Sequence, residues 1–351
     1  MQDKFLNFEG RKIGYGQPCF IIAEAGVNHN GDLARARQMI EVAVSCGVDA
    51  IKFQTFKTER LAVAEAPKAT YQMEATDRQE SQTEMLGRLE LSPDSFRILQ
   101  TDCKNQGIIF MSTPFDEESA DLLNEFGMAV FKIASGEITN LPFLAHLARK
   151  GKPIILSTGM SYLSEVDEAV RVIRGVGNPS LAILQCTSNY PAKPADIHLR
   201  AMDTMQKAFN VPVGFSDHSE GIEIPLAAVA LGANIIEKHF TISRSLPGPD
   251  HQASLEPDEL KQLVDGIRKV ESAMGDSWKQ PVASEANTAM IARKSLASKC
   301  DIPKGTVITD AHLTVLRPGT GISPSMYSFI LGRRARIDIP DRALISLEML
   351  E

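Results

Sequence analysis

The 351-residue sequence has no segment approaching the roughly 20 consecutive apolar residues that a membrane helix needs. Its opening stretch, Met1 to Gly16, is polar and charged and lacks the basic head and apolar run of a secretory leader, so the expected compartment is the cytoplasm. Positive charge is in deficit. A net charge of −7 supplies no overall field to attract nucleic acid or an anionic membrane, and an anionic ligand would have to be held by local cations. Cysteine is sparse and unpatterned. Cys19, Cys46, Cys103, Cys186 and Cys300 are odd in number and include no C-x-x-C pair, which suits reduced thiols and leaves no basis for a zinc knuckle or a disulfide framework.

What is present is a regular alternation. Short β-branched runs alternate with helix-period segments from residue 18 to about 274. The spacing predicts strands at Phe20–Glu24, Ala50–Gln54, Ile108–Ser112, Val130–Ser135, Ile154–Ser157, Leu181–Cys186, Val211–Ser216 and Ile235–His239. Between them, amphipathic helices are expected at Leu33–Cys46, Ser92–Asn105, Glu117–Phe126, Ser164–Arg174 and Glu256–Met274, with Ser92-Pro93 reading as a cap followed by proline at the first helical position. Eight strand–helix pairs over roughly 250 residues are the signature of an α/β fold of the (β/α)8, or TIM, barrel type, with an open doubly wound sheet as the alternative. The barrel is expected over residues 1–274. Lys57 to Glu90 is too long for an ordinary βα loop and reads as a lid or an inserted helical segment over the barrel mouth.

After the barrel the pattern changes. Residues 275–290 read as a linker, polar and containing Pro281, and 291–351 as a small β-rich domain. That domain contains an internal echo. Asp301-Ile302-Pro303 leads to Ile308 and Leu313, and Asp338-Ile339-Pro340 leads to Ile345 and Leu350 at identical spacing, which predicts pseudo-symmetry. So small a domain has little core of its own and is expected to dock on the barrel or on a partner chain.

Nearly every predicted strand ends in a hydrophilic cluster. These are Glu24, Lys52 with Gln54, Ser112-Thr113, Lys132 with Ser135, Ser157-Thr158, Thr187-Ser188, Ser216-Asp217-His218, and Glu237 with His239. Barrel enzymes build their active sites on that face. Residues two apart on a strand share a side, so Lys52 and Gln54 point together, as do Glu237 and His239.

His218 and His239 end neighbouring strands, each beside a carboxylate, Asp217 or Glu237. The pair reads either as a divalent-metal grip or as two structural histidines, and without a cysteine nearby a hard to borderline ion suits it better than structural zinc. Lys52 and Lys132 lie on strands that should be buried. Each is either neutral, as in a Schiff-base aldolase with Lys132 as nucleophile, or facing a phosphate or carboxylate together with Ser112, Thr113, Ser135, Ser157 and Ser216, or snorkelling to solvent. Glu24 could act as a general base or hold sugar hydroxyls. Arg333, Arg334 and Arg336 read as a solvated or interface strand face.

These stretches resemble the sialic acid synthase family. The resemblance rests on Ile22-Ala-Glu-Ala-Gly-Val-Asn-His-Asn-Gly31, Ile51-Lys-Phe-Gln-Thr-Phe-Lys57, Ser112-Thr-Pro-Phe115 and Phe131-Lys-Ile-Ala-Ser-Gly-Glu137. It continues through Leu156-Ser-Thr-Gly-Met160, Gln185-Cys-Thr-Ser-Asn-Tyr-Pro191, Gly214-Phe-Ser-Asp-His218, Glu237-Lys-His-Phe240 and Gly248-Pro-Asp250. The C-terminal region is similar to that family's antifreeze-like SAF (β-clip) domain, with Leu316-Arg-Pro-Gly-Thr-Gly321 as its substrate-facing loop.

The resemblance implies condensation of phosphoenolpyruvate with an N-acetylmannosamine-type sugar, releasing phosphate by C–O cleavage. It further implies that Lys52, Thr113, Lys132, Ser135, Ser157, Ser188 and Ser216 hold phosphoenolpyruvate, while Gln54, Tyr190, Asp250 and Arg317 contact the sugar. His218 and His239 would hold a divalent ion, usually manganese, with magnesium or cobalt as substitutes, and would share the catalytic role with Glu24. Arg317 would come from the partner subunit of a domain-swapped homodimer. The wording of the Glu24 and Lys52 motifs, with Phe53 and Ser188, is more similar to the legionaminic acid branch. The favoured sugar is therefore 2,4-diacetamido-2,4,6-trideoxy-mannose, giving N,N'-diacetyllegionaminate, with N-acetylmannosamine, giving N-acetylneuraminate, as the alternative.

Overall fold

The computed structural model describes residues 4–351 except Arg78 and Pro179; Arg78 falls in the segment read as a lid and lies outside the described residues. Contacts divide the chain into two compact units, Met1–Gly275 and Asp276–Glu351.

The first unit opens with a hairpin that the sequence pattern does not announce, β1 (Phe5–Phe8) and β2 (Arg11–Gly14). Glu9 and Gly10 turn it, both at positive φ, 46° and 71°, the geometry of the tight turns that match strand twist. Eight parallel strands follow. They are β3 (Phe20–Gly26), β4 (Ala50–Thr55), β5 (Ile109–Pro114), β6 (Phe131–Ile133), β7 (Ile154–Ser157), β8 (Leu181–Cys186), β9 (Val213–Asp217) and β10 (Ile235–His239). They pair in the order β5-β4-β3-β10-β9-β8-β7-β6, so β3 and β10 lie side by side and the sheet curls into a (β/α)8 barrel. β5 and β6 close the ring without a ladder of their own, and at this seam the Ser112 amide donates to the Met128 sulfur at 3.2 Å.

The expected helices are present with shifts of a residue or two at their ends, for example Pro93–Gln106, capped by the Ser92 hydroxyl, and Pro257–Met274. The outward residues of the strands and the inner faces of these helices form the main apolar layer, including Ile21, Ile51, Phe53, Phe131, Ile236, Met39, Leu263 and Ile267. The barrel's interior has its own apolar cluster. Phe20, Ile22, Ala50, Met111, Ile155, Ala182, Leu184 and Ile235 fill it, and Leu6, Phe8 and Ile13 of the hairpin join them. One step further along each strand the inward position becomes polar. Ile22 gives way to Glu24, Ala50 to Lys52, Met111 to Thr113, Ile155 to Ser157 and Ile235 to Glu237, a two-residue alternation that stacks a charged layer on an apolar one. The long stretch after β4 folds as three helices, Thr58–Leu61, Thr70–Ala75 and Gln82–Leu89.

The second unit has a separate core of Leu296, Ile302, Ile308, Leu313, Ile330, Ala335, Ile339, Ile345 and Leu350. β11 (Ser295–Ser298) pairs antiparallel with β12 (Leu313–Leu316). The duplicated segments meet as near mates. Ile302 and Ile339 bridge antiparallel, the Asp338 carboxylate accepts from the Lys304 amide at 2.7 Å, and the Asp301 carboxylate accepts from the Asp341 amide at 2.8 Å. Part of the segment read as linker is structured, because Ala286–Ala292 forms a helix.

Candidate active site

At the C-terminal ends of the barrel strands lies a cavity of about 370 Å³. Thirteen of the fourteen site residues named from the sequence line it, namely Glu24, Lys52, Gln54, Thr113, Lys132, Ser135, Ser157, Ser188, Tyr190, Ser216, His218, His239 and Asp250. The fourteenth, Arg317, belongs to the C-terminal unit. It is exposed and follows β12, joined to Pro318 by a cis peptide.

The centre of the cavity is a buried charge network. Lys52 Nζ lies 2.7 Å from Glu24 Oε2 and 3.7 Å from Glu237 Oε2, and donates to Thr113 Oγ1 at 3.0 Å. Lys132 Nζ lies 3.4 Å from Glu237 Oε1, which also accepts from Ser216 Oγ at 2.9 Å. Two cations face two carboxylates, so the network can be neutral without water. Burial works against the Lys52 ammonium, but Glu237 and Glu24 outweigh it and raise its pKa. Burial wins at Lys132, whose pKa is lowered despite Glu237. The carboxylates part company in the same way. Burial, reinforced by Glu237 and opposed by Lys52, pushes Glu24 up to about 7. At Glu237 burial is overcome by Lys132 and Lys52, which hold it below the usual carboxylate range. The network thus drives the two carboxyls apart, Glu24 upward and Glu237 downward, the kind of split by which neighbouring carboxyls come to differ in proton affinity.

Around these lysines stand hydroxyls. Ser135 Oγ accepts from the Gly159 amide at 2.8 Å. Ser157 Oγ is buried without a hydrogen-bond partner among the described residues, unlike most buried polar groups.

Beside the network, three rings stack. Tyr190 lies 4.1 Å from His218 and 4.9 Å from Tyr71 between ring centroids, and the His218 and His239 rings are 5.3 Å apart. His218 Nδ1 bonds the Thr187 carbonyl at 2.8 Å, an acceptor that needs Nδ1–H and leaves the lone pair on Nε2. For the His218 ring, burial is outweighed by Cys186 and the pKa is raised. His239 keeps its lone pair for another reason. Burial, then the charges of His218 and Lys52, drive its pKa well down, and its Nδ1 is buried with no hydrogen-bond partner, 3.9 Å from Asp250 Oδ2. Asp250 itself is pushed up to about 6 by burial. Two imidazoles with a free nitrogen each suit a divalent ion. No group of three or more His, Cys, Asp or Glu among the described residues is disposed to hold a metal ion, so the two imidazoles alone are not the donor set of a closed structural site.

Residues 39–279 match the family model described as NeuB family, and residues 293–351 match the SAF domain. The chain belongs to the NeuB family. Relatives within it include the N,N'-diacetyllegionaminic acid synthase of Campylobacter jejuni, 49% identical over 93% of this chain and 98% of the relative. The Legionella pneumophila protein of the same name is 45% identical over 96% of each. A crystal structure of the N-acetylneuraminic acid synthetase of Leptospira borgpetersenii, in complex with citrate, superposes with a TM-score of 0.71 at 36% identity, over 82% of this chain and 96% of that one.

Within this NeuB barrel, two sequence readings need correcting. Asp217 is not a companion of His218 in the cavity, since it pairs with Lys238 at 2.6 Å between β9 and β10, with both side chains buried. Ser112 is not part of the anion-facing hydroxyl set, because its Oγ bonds Thr55 at 2.7 Å. Both errors come from treating sequence neighbours as neighbours in space; with Ser216 and Thr113 inward, strand alternation turns Asp217 and Ser112 outward. Among the other lining residues, Glu237, Cys186 and Tyr71 were given no site role from the sequence. Glu237 shares its strand face with His239, as the two-residue period predicts, but that period alone gives it no role beside the lysines. Cys186, which ends β8, has its thiol lowered to about 7, because His218 outweighs the effect of burial. Tyr71 comes from the inserted helices, where no pattern pointed to it.

Proposed function

We propose that this protein condenses phosphoenolpyruvate with 2,4-diacetamido-2,4,6-trideoxy-mannose and water, giving N,N'-diacetyllegionaminate and phosphate. The observation that carries the reading is the buried Lys52–Lys132 pair, which lines one cavity together with Thr113, Ser135, Ser157, Ser188 and Ser216. Two lysines and several hydroxyls match a ligand with both carboxylate and phosphate. The identities of 45% and 49% to two N,N'-diacetyllegionaminic acid synthases, over nearly full length, favour the diacetamido sugar.

In this reading C3 of phosphoenolpyruvate forms a bond to the aldehyde carbon, positive charge develops at C2, and water adds there. Collapse of the resulting tetrahedral centre breaks the C2–O bond and releases phosphate. Lys52 and Lys132 hold the phosphate and carboxylate throughout and neutralise the leaving group. Glu24, protonated or not near neutrality, moves the proton between water and the developing alkoxide. Tyr190, Gln54 and Asp250 orient the sugar. His218 and His239 would hold a divalent ion, manganese in the first instance, which when bound polarises the aldehyde. We further propose that two copies of the chain assemble and that the partner subunit contributes the sugar contact made by Arg317.

The reaction is tested with phosphoenolpyruvate labelled at the bridging oxygen. Sugar-dependent phosphate carrying the label supports C–O cleavage. Labelled oxygen retained in the organic product, or no phosphate at all, contradicts it. A Schiff-base aldolase through Lys132 would instead be trapped by borohydride with pyruvate.

A further inference from the structure

The lining of the catalytic cavity has two chemistries. Beside the charged network stands an apolar wall of Val27, Met85, Leu86, Leu89 and Phe115. These residues pack as one cluster of their own, separate from the barrel core. Three of them come from the helix Gln82–Leu89, which is fixed by a capping box, the Ser81 hydroxyl accepting from the Glu84 amide and the Glu84 carboxylate from the Ser81 amide. That helix lies in the segment between β4 and Pro93, which the eightfold repeat does not require, so it can set specificity without altering the barrel. Met85 and Leu89 are buried, Leu86 and Phe115 are half-buried, and all four line the cavity.

We propose that this wall determines sugar specificity, by receiving the apolar substituents of the sugar, the C6 methyl and the acetamido methyl at C4. The inference rests on the functional reading above. A hydroxymethyl group at C6 would bring a hydroxyl against Leu86 and Phe115, where neither side chain offers a hydrogen-bond partner. An apolar pocket rejects an added hydroxyl only modestly, by up to about a hundredfold. Discrimination of that order between the diacetamido-trideoxy sugar and N-acetylmannosamine is what the wall can supply.

The test is the ratio of kcat/KM for these two sugars in the full-length enzyme with phosphoenolpyruvate and manganese, with the KM for phosphoenolpyruvate as internal control. Leu86→Gln should lower the ratio by about tenfold, mostly through a higher KM for the diacetamido sugar. Leu86→Met should keep the ratio. If Leu86→Gln does not fold, Leu86→Ala replaces it and should lower the ratio in the same direction by a smaller factor. Ratios unchanged from wild type would overturn the wall while leaving the reaction standing. A wild-type protein that turns over neither sugar would overturn the functional reading, and the wall with it.

Discussion

Lys52 and Glu24 face each other in register across β4 and β3, with Nζ 2.7 Å from Oε2 and both side chains at most 3% exposed. An ion pair this deep is stabilising only if the rest of its surroundings cooperate, and here Glu237 and Thr113 do so. In the proposed reaction the same lysine is the cation that the phosphorylated substrate needs, and Glu237 and Glu24, which raise its pKa, keep it charged until that anion binds.

Lys52→Met should accordingly destabilise the protein by about 3–5 kcal/mol, because Glu24 and Glu237 lose a buried counter-ion. Adding Glu24→Gln to that variant should recover part of the loss. Thermal unfolding of the two single variants and the double variant measures the coupling, and strict additivity would contradict a shared network.

Gly159 has little room for a side chain. A Cβ there would fall 2.9 Å from Ser135 Oγ and closer still to Ser188 Oγ, both among the hydroxyls proposed to hold the anion. Gly159→Ala should raise the KM for phosphoenolpyruvate by about tenfold or more, and Ser188→Ala in the same chain should relieve part of the crowding. An unchanged KM would remove these hydroxyls from the anion site.

His29 is buried on the loop after β3, and its Nδ1 accepts from the Gly31 amide at 3.0 Å. Burial, with a contribution from Arg35, lowers its pKa from 6.5 to about 4. The unfolded chain therefore takes up a proton that the folded one refuses. Stability is intact above pH 6.5 and falls as pH drops from 6.5 toward 4, by about 3 kcal/mol from this residue when fully developed. His29→Asn retains an acceptor and should flatten the decline in unfolding free energy between pH 7 and pH 4.5. A parallel decline in wild type and variant would place the acid sensitivity elsewhere.

His239 Nδ1 is buried with no hydrogen-bond partner among the described residues. Chelation should abolish phosphate release, and added manganese should restore it. His239→Ala should lose both the metal response and manganese binding by calorimetry while still folding, since the ring makes no hydrogen bond that the fold depends on. Manganese binding undiminished in that variant would exclude His239 as a ligand.

Much of this barrel is legible in the sequence because each strand is a short β-branched run and the polar residues cluster at strand ends. Ile154–Ser157, Leu181–Cys186 and Ile235–His239 have the same limits in sequence and structure. The hairpin at Phe5–Gly14 was hidden because its apolar residues, Leu6, Phe8 and Ile13, are few and sit among charges, and their role in filling the barrel interior is a tertiary fact. Tyr71 and Leu86 were hidden for a related reason. Their helices are short: Leu86 and its helix take their place from packing on Val27, Phe56 and Phe115, and the Tyr71 ring from stacking on Tyr190, not from a long period of their own. In the second unit the repeated Asp-Ile-Pro motif foretold symmetry, and the reciprocal Asp301 and Asp338 hydrogen bonds give its physical basis.

The central claim is that Lys52 and Lys132 hold phosphoenolpyruvate while the cavity presents it to a diacetamido sugar. It is tested most directly by phosphate release from phosphoenolpyruvate with manganese, offering 2,4-diacetamido-2,4,6-trideoxy-mannose and N-acetylmannosamine in parallel. Sugar-dependent phosphate is expected with both, with faster turnover of the diacetamido sugar. Phosphate release that depends on neither sugar would contradict it.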